Sequence, residues 1–136
     1  MKFTIRELNE NDYDTILTKW WKDWRWTAPP KDFLPKDGKG GLVVYDGEIP
    51  VCAGYIYITN SKVGWCDWII SNYEYNDRTE RREGLSFLIQ VLTETLKLNG
   101  CKYSYALLKS DSLIDIYKKN GYIKGDSYNT EMIKTL

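Results

Sequence analysis

Apolar and polar positions change period several times along the chain, and the changes divide it into elements. Phe3 and Ile5 alternate with Thr4 and Arg6, which predicts a first strand over Lys2–Leu8. Asn9-Glu10-Asn11-Asp12 then offers capping side chains for a helix to about Trp24, bearing Tyr13, Ile16, Leu17, Trp20, Trp21 and Trp24. The following RWTAPPKDFLPKDGKGG contains Pro29, Pro30, Pro35, Gly38, Gly40 and Gly41 and reads as a loop with at most a short helical turn. Leu42–Tyr45 and Glu48–Thr59 flank Asp46-Gly47, the pattern of a hairpin with a tight turn. After a second turn at Ser61-Lys62, Val63–Ser71 is mostly apolar on both faces, as a central strand should be.

The strongest pattern lies between Asp77 and Gly100. Leu85, Leu88, Ile89, Leu92 and Leu96 recur at helical spacing, widened by Phe87, Val91 and Leu98, and leave a narrow polar strip at Gln90, Thr93, Glu94 and Lys97. Asn99-Gly100 is a natural stop. Cys101–Leu108 is expected as a strand and about Ser112 to Asn120 as a short helix, with a last pair of strands from Gly121-Tyr122 around Gly125-Asp126. The order predicts one α/β (α+β) domain over residues 1–136. Its sheet is mixed, mostly antiparallel and twisted, of about six or seven strands, with one parallel crossover and helices on both faces. A crevice should open where the parallel strands diverge.

Composition narrows the chemistry. Nineteen basic and nineteen acidic residues cancel, so no global field favours nucleic acid or an anionic membrane. Cys52, Cys66 and Cys101 lie in apolar or alternating runs without metal-ligand spacing, as in a reduced cytoplasmic protein. No signal peptide and no run of membrane-spanning length is present. The chain has no histidine, which removes imidazole bases and leaves carboxylates, tyrosine, lysine, thiols and backbone amides.

Arg78, Arg81 and Arg82 gather at the start of the long helix, where positive charge is unfavourable unless an anion is received. Pairing with Asp77, Glu80 and Glu83 is the simpler alternative. Asp77 followed by Glu80 is also a capping-box pattern, and a helix starting there would use the amides of residues 81 to 84 internally.

Arg81-Arg82-Glu83-Gly84-Leu85-Ser86 resembles the Q/R-x-x-G-x-G/A loop of the GNAT superfamily of acyl-CoA-dependent N-acyltransferases, with Ser86 at the last small position. Leu113-Ile114-Asp115-Ile116-Tyr117-Lys118-Lys119-Asn120-Gly121-Tyr122 resembles its A-x-x-L-Y-x-x-x-G-F segment, and the element order is similar along nearly the whole chain. Trp20-Trp21 through Asp32-Phe33-Leu34-Pro35 also resembles GNAT-like proteins common in bacteriophages. The resemblance implies acetyl-CoA as cofactor, with its pyrophosphate held by the backbone of Arg81, Arg82, Gly84, Leu85 and Ser86. It further implies that the pantetheine arm pairs with Ile69, Ile70 and Ser71, and that Ser110 stands where an asparagine often contacts the cofactor. The connection SNYEYNDRTE is longer than the superfamily's usual one.

The same resemblance puts the Tyr117 phenol near the thioester as proton donor to the leaving sulfur; the alternative is a packing residue. Asp67 interrupts the apolar GWCDWII and is the first candidate base, Glu74 the second. An irregularity in the central strand could present amides to a developing oxyanion. Trp20, Trp24 and Trp26, with Asp23 and Asp32 nearby, are candidates for holding a small-molecule or peptide amine, or else pack under the Pro-rich loop. Trp65 and Trp68 fall on opposite strand faces by parity and are expected in the core. These features describe an N-acetyltransferase acting by direct attack in a ternary complex, monomeric or homodimeric. The alternative is a GNAT-fold interaction module that has lost cofactor use and presents the Trp20–Trp26 surface.

Overall fold

The computed structural model describes residues 2–75 and 77–136. Five strands form one sheet in sequential order: β1 (Phe3–Glu7), β2 (Gly41–Asp46), β3 (Ile49–Ile58), β4 (Val63–Ser71) and β5 (Tyr103–Tyr105). Neighbours are antiparallel except β4 and β5, which run parallel across the crossover helix. A π-helical turn, Tyr13–Leu17, leads directly into α1 (Thr18–Asp23), and 3₁₀ turns at Lys31–Phe33 and Pro35–Gly38 follow in the proline-rich segment. The crossover is α2 (Arg78–Leu98), and α3 (Asp111–Lys119) comes after β5.

The helices divide the core into two layers. Leu88, Ile89, Leu92 and Leu96 of α2, with Ile116 and Tyr117 of α3, pack against Val51, Cys52, Cys66 and Ile69 on one sheet face. Leu17, Trp20 and Trp21 pack against Val43, Ala53, Tyr55 and Ile70 on the other. Cys52 and Cys66 are buried and Cys101 half-buried, all as free thiols; burial pushes the Cys66 thiol up to about 11.

The predicted count of six or seven strands is too high, because among the described residues no strand follows α3. The expected pair around Gly125-Asp126 does not form, and β5 is a three-residue edge strand instead of Cys101–Leu108. A strand pair needs a surface on which to bury alternate side chains. Ile123, Tyr128, Met132, Ile133 and Leu136 instead face solvent. Leu98, expected to widen the apolar face of α2, is exposed as well.

Asp12 joins β1 to the first helix and is one of two buried polar residues among those described. Its carboxylate receives both Arg6 Nη atoms, at 2.7 and 3.0 Å, and the Asn9 amide at 2.7 Å. Burial would raise this carboxyl, but the Arg6 guanidinium and the Asn9 amide outweigh it and hold the carboxyl below its ordinary value. Because the folded value is lowered, its contribution to stability is complete above the unfolded carboxyl value and is lost as pH falls through the folded one. Asp12→Asn should therefore reduce stability at neutral pH and flatten this part of the acid limb, as read from urea unfolding at a series of pH values.

Gly84 has a packing role in the middle of α2, where an added Cβ would lie 3.0 Å from Val51 Cγ1 and 3.6 Å from the Phe3 ring. Gly84→Val should cost about 1–3 kcal/mol by overpacking this contact. Gly84→Ala should cost less, because gained helix propensity of about 1 kcal/mol offsets the close approach. Urea unfolding of both variants checks the order.

Candidate functional site

Strand β4 is paired with β3 along most of its length but with β5 only through Val63, Gly64 and Trp65. From Cys66 onward the two parallel strands separate. At the point of separation β4 carries a bulge: Ala53 pairs with Ile70 and Tyr55 with Asp67, so Gly54 alone faces Trp68 and Ile69. Trp68 has φ of 56°, a left-handed conformation that costs a bulky residue on the order of 1–3 kcal/mol. Asp67 Oδ1 accepts the Trp68 amide at 2.9 Å and helps to hold it. Gly54 is required opposite, since a Cβ there would lie 2.4 Å from Ile69 Cδ1.

The bulge changes which side chains share a face. Parity places Trp65 and Trp68 on opposite faces, but the extra residue turns Trp68 to the side of Asp67 and Trp65. Tyr57 pairs with Trp65, Tyr105 packs its ring 4.6 Å from that of Trp65, and Trp68 lies edge-on to Trp21 and Phe33. Trp65 and Trp68 are half-buried, not core.

On the α2 side of the split is a cleft of about 380 Å³. It is bounded by Ile69 and Ser71 of β4, Arg78, Arg81, Arg82 and Leu85 of α2, Ser110, Ser112, Leu113 and Ile116 around α3, and Trp24 and Trp26. Thus Ile69, Ser71, Arg81, Arg82, Leu85 and Ser110, read as cofactor residues, line one cleft, and Trp24 and Trp26, read as acceptor residues, line the same one. Ile70 does not, because its side chain points to the α1 layer. Trp20 is 3% exposed within that layer, so it offers no surface to an acceptor. Arg78, read with the other two arginines at the helix start, joins them, and Ser112, Leu113 and Ile116 are additions from the first turns of α3. Ser110 caps α3, accepting the Leu113 amide at 3.3 Å.

The backbone cradle expected at Arg81–Ser86 is not formed. Asp77 caps α2 through the Glu80 amide, and the Arg81 amide donates to Asp77 O at 2.9 Å. The helix is established before residue 81, so the following amides bond within it. Gly84 faces the core, and Ser86 accepts a hydrogen bond from Asn120 Nδ2 at 3.0 Å, tying α2 to α3.

The arginine side chains remain at the mouth. Glu80 pairs with Lys2, and among the described residues none of the three arginines has a carboxylate partner. The pairing alternative is thereby removed for them. Arg81 donates to Tyr75 O at 3.0 Å and lies 5.5 Å from the Trp24 ring centroid, while Arg82 donates to Ser112 Oγ. Trp24 itself donates to Ser71 O at 2.8 Å and stacks with Trp26 at 5.8 Å, forming a rigid aromatic wall. Cationic side chains on an open cleft at the beginning of a 21-residue helix suit an anionic ligand.

Neither candidate catalytic residue lines this cleft. Tyr117 is 2% exposed and donates to Cys66 O at 2.7 Å, filling a carbonyl position where β5 has left β4. Burial, then the neighbouring Cys66, pushes its phenol far above the ordinary tyrosine value. Asp67 is half-buried on the opposite side of the sheet, and its Oδ2 accepts the Leu107 amide at 3.5 Å across the gap. Burial raises its carboxyl, against the Trp68 and Leu107 amides, which lower it. Glu74 instead forms a surface ion pair with Lys19.

No protein-family model and no curated protein matches the sequence. Solved structures do. A GNAT family acetyltransferase of Staphylococcus aureus is 16% identical, with 98% of this chain and 100% of that chain covered at a TM-score of 0.61. Glucosamine-6-phosphate N-acetyltransferase of Arabidopsis thaliana is 12% identical over 98% of this chain and 100% of that one, at 0.66. An aminoglycoside acetyltransferase from an uncultured soil metagenomic sample, in complex with sisomicin, is 10% identical over 99% and 97%, at 0.66.

The fold is that of the GNAT acetyltransferases. Within the GNAT fold, the fifteen residues 122–136 contain no strand, and the cleft is entered beside side-chain guanidiniums in place of an open glycine loop. No helix among the described residues is long and apolar enough to cross a membrane, and no group of metal-ligating side chains occurs among them.

If the cleft receives a polyanion, Arg78→Ala and Arg82→Ala should each weaken inorganic pyrophosphate binding by about tenfold, the loss of one charge-assisted contact. The salt dependence of binding should become shallower in both variants. Calorimetric titration at two ionic strengths measures both effects.

Proposed function

We propose that this protein is an acyl-CoA-dependent N-acetyltransferase that transfers an acetyl group to a primary amine within a ternary complex. The observation that carries this reading is the set of three arginines without carboxylate partners among the described residues, gathered on a cleft beside the part of β4 that β5 leaves unpaired. The GNAT fold supports the reaction class. Arg78, Arg81 and Arg82 would hold the cofactor's phosphates, Ser110 and Ser112 its polar linkages, and Ile69, Leu85, Leu113 and Ile116 its apolar arm. Acetyl-CoA, when bound, supplies an acetyl thioester whose C–S bond breaks as the N–C bond to the amine forms.

The chain's own groups then handle two protons. Asp67 accepts the proton an ammonium must lose before attack, its burial-raised carboxyl being better matched to this than an exposed aspartate. The proton that nitrogen sheds as the N–C bond forms replaces the one Tyr117 gives up. Tyr117 stays protonated and supplies its proton toward the departing sulfur, although burial makes the phenol a weaker acid where it rests. To do so the hydroxyl must leave Cys66 O, an exchange of a bond whose net value is about 1 kcal/mol. With the Trp68 amide donated to Asp67, the irregular backbone at the bulge would leave the amides beyond it to face a developing oxyanion.

A calorimetric titration with acetyl-CoA should show one saturable site, and its absence would leave an interaction module on the same fold. Tyr117→Phe should keep that affinity within about twofold, while turnover falls by about a hundredfold or more. An equal loss of stability and turnover would reduce Tyr117 to a pin between α3 and β4.

A further inference from the structure

The two sides of β4 differ in charge. The cleft side carries the three arginines. On the α1 side the bulge exposes a different surface, which α1 borders through Trp21 against Trp68. Tyr57, Trp65, Trp68 and Tyr105 surround Asp67 there, with Phe33 at the border. Tyr105 is 42% and Phe33 44% exposed, so this aromatic face is open to solvent. Tyr57 donates to Phe33 O at 3.0 Å, which fixes the 3₁₀ turn against the sheet.

Asp67 makes no ion pair among the described residues, and each of its oxygens receives one backbone amide. A carboxylate oxygen can accept further hydrogen bonds, and a half-buried carboxylate among aromatic rings is unfavourable until a cation joins it. Aromatic faces beside a carboxylate are a favourable setting for an ammonium group. The charge available is one carboxylate, and the arginines across the strand disfavour any second positive charge brought near.

Resting on the N-acetyltransferase reading above, we propose that the acceptor is a singly charged primary amine on an apolar, ring-sized body. Its ammonium meets Asp67 at the strand split, and its body lies on Trp65, Tyr57 and Tyr105. This moves acceptor recognition from the Trp20–Trp26 region, where Trp24 and Trp26 wall the anion cleft, to the opposite face of β4.

The test has a binding arm that needs no acetyl-CoA. Titrating phenethylamine, the neutral 2-phenylethanol and spermidine into the full chain, with tryptophan fluorescence and NMR shifts as readouts, should show phenethylamine binding at least tenfold tighter than either of the others. Asp67→Asn should remove the advantage over 2-phenylethanol. Tyr105→Leu, at an exposed position, should weaken phenethylamine alone and leave acetyl-CoA affinity unchanged. With acetyl-CoA present, kcat/KM for phenethylamine should exceed that for spermidine by at least tenfold, and Tyr105→Leu should raise KM with kcat nearly constant. Equal use of spermidine, or phenethylamine binding unaffected by Asp67→Asn, would overturn the proposal. Failure of acetyl-CoA to bind, with amine binding at Asp67 intact, would overturn the transferase reading and leave the amine site standing.

Discussion

Around Trp68 the backbone of β4 turns left-handed for one residue, and both sides of the site follow from that turn. Two consecutive side chains, Asp67 and Trp68, come to the same face, while Ile69 beyond them returns to the α2 layer and lines the cleft. Without the bulge, alternation would carry Trp68 into the α2 layer and reverse every side chain after it. The conformation is sterically unfavourable, and the surroundings hold it: Asp67 accepts the Trp68 amide, Gly54 leaves room opposite, and Phe33 and Trp21 contact the indole edge-on.

The early end of the β4–β5 pairing is the second requirement. A parallel neighbour that continued past Tyr105 would close the gap with ladder hydrogen bonds. Instead, side chains take over at the split: Tyr117 serves Cys66 O from α3, and Asp67 reaches the Leu107 amide. Such partners leave an opening that backbone pairing would fill. Tyr122 reinforces the same corner, its hydroxyl bonding to Thr93 and Ser104 and its ring lying 4.8 Å from that of Tyr117.

Charge is sorted by this geometry. The α2 helix brings arginines to one side of β4, and the hairpin pairing brings aromatic rings and a lone carboxylate to the other. In the transferase proposed above, an anionic donor and a cationic acceptor would approach one strand from opposite faces and meet where its pairing is interrupted. A chain with zero formal net charge can do this because the separation is local.

By itself, the sequence determined most of the elements and their order. The period of Leu85 to Leu96 specified α2, Asp46-Gly47 the hairpin turn, Asp77 with Glu80 the first turn of α2, and Asp67 the one charge inside β4. These signals are local, carried by residues a few positions apart. The tertiary structure alone decided that Gly84 packs against Phe3 and Val51, that Trp20 is core while Trp24 walls a cleft, and that no strand follows α3. It also decided that Trp65 and Trp68 share a face. Each of those outcomes depends on what lies opposite a residue across the sheet or the helix layer, and a pattern along one chain does not record its neighbours in space.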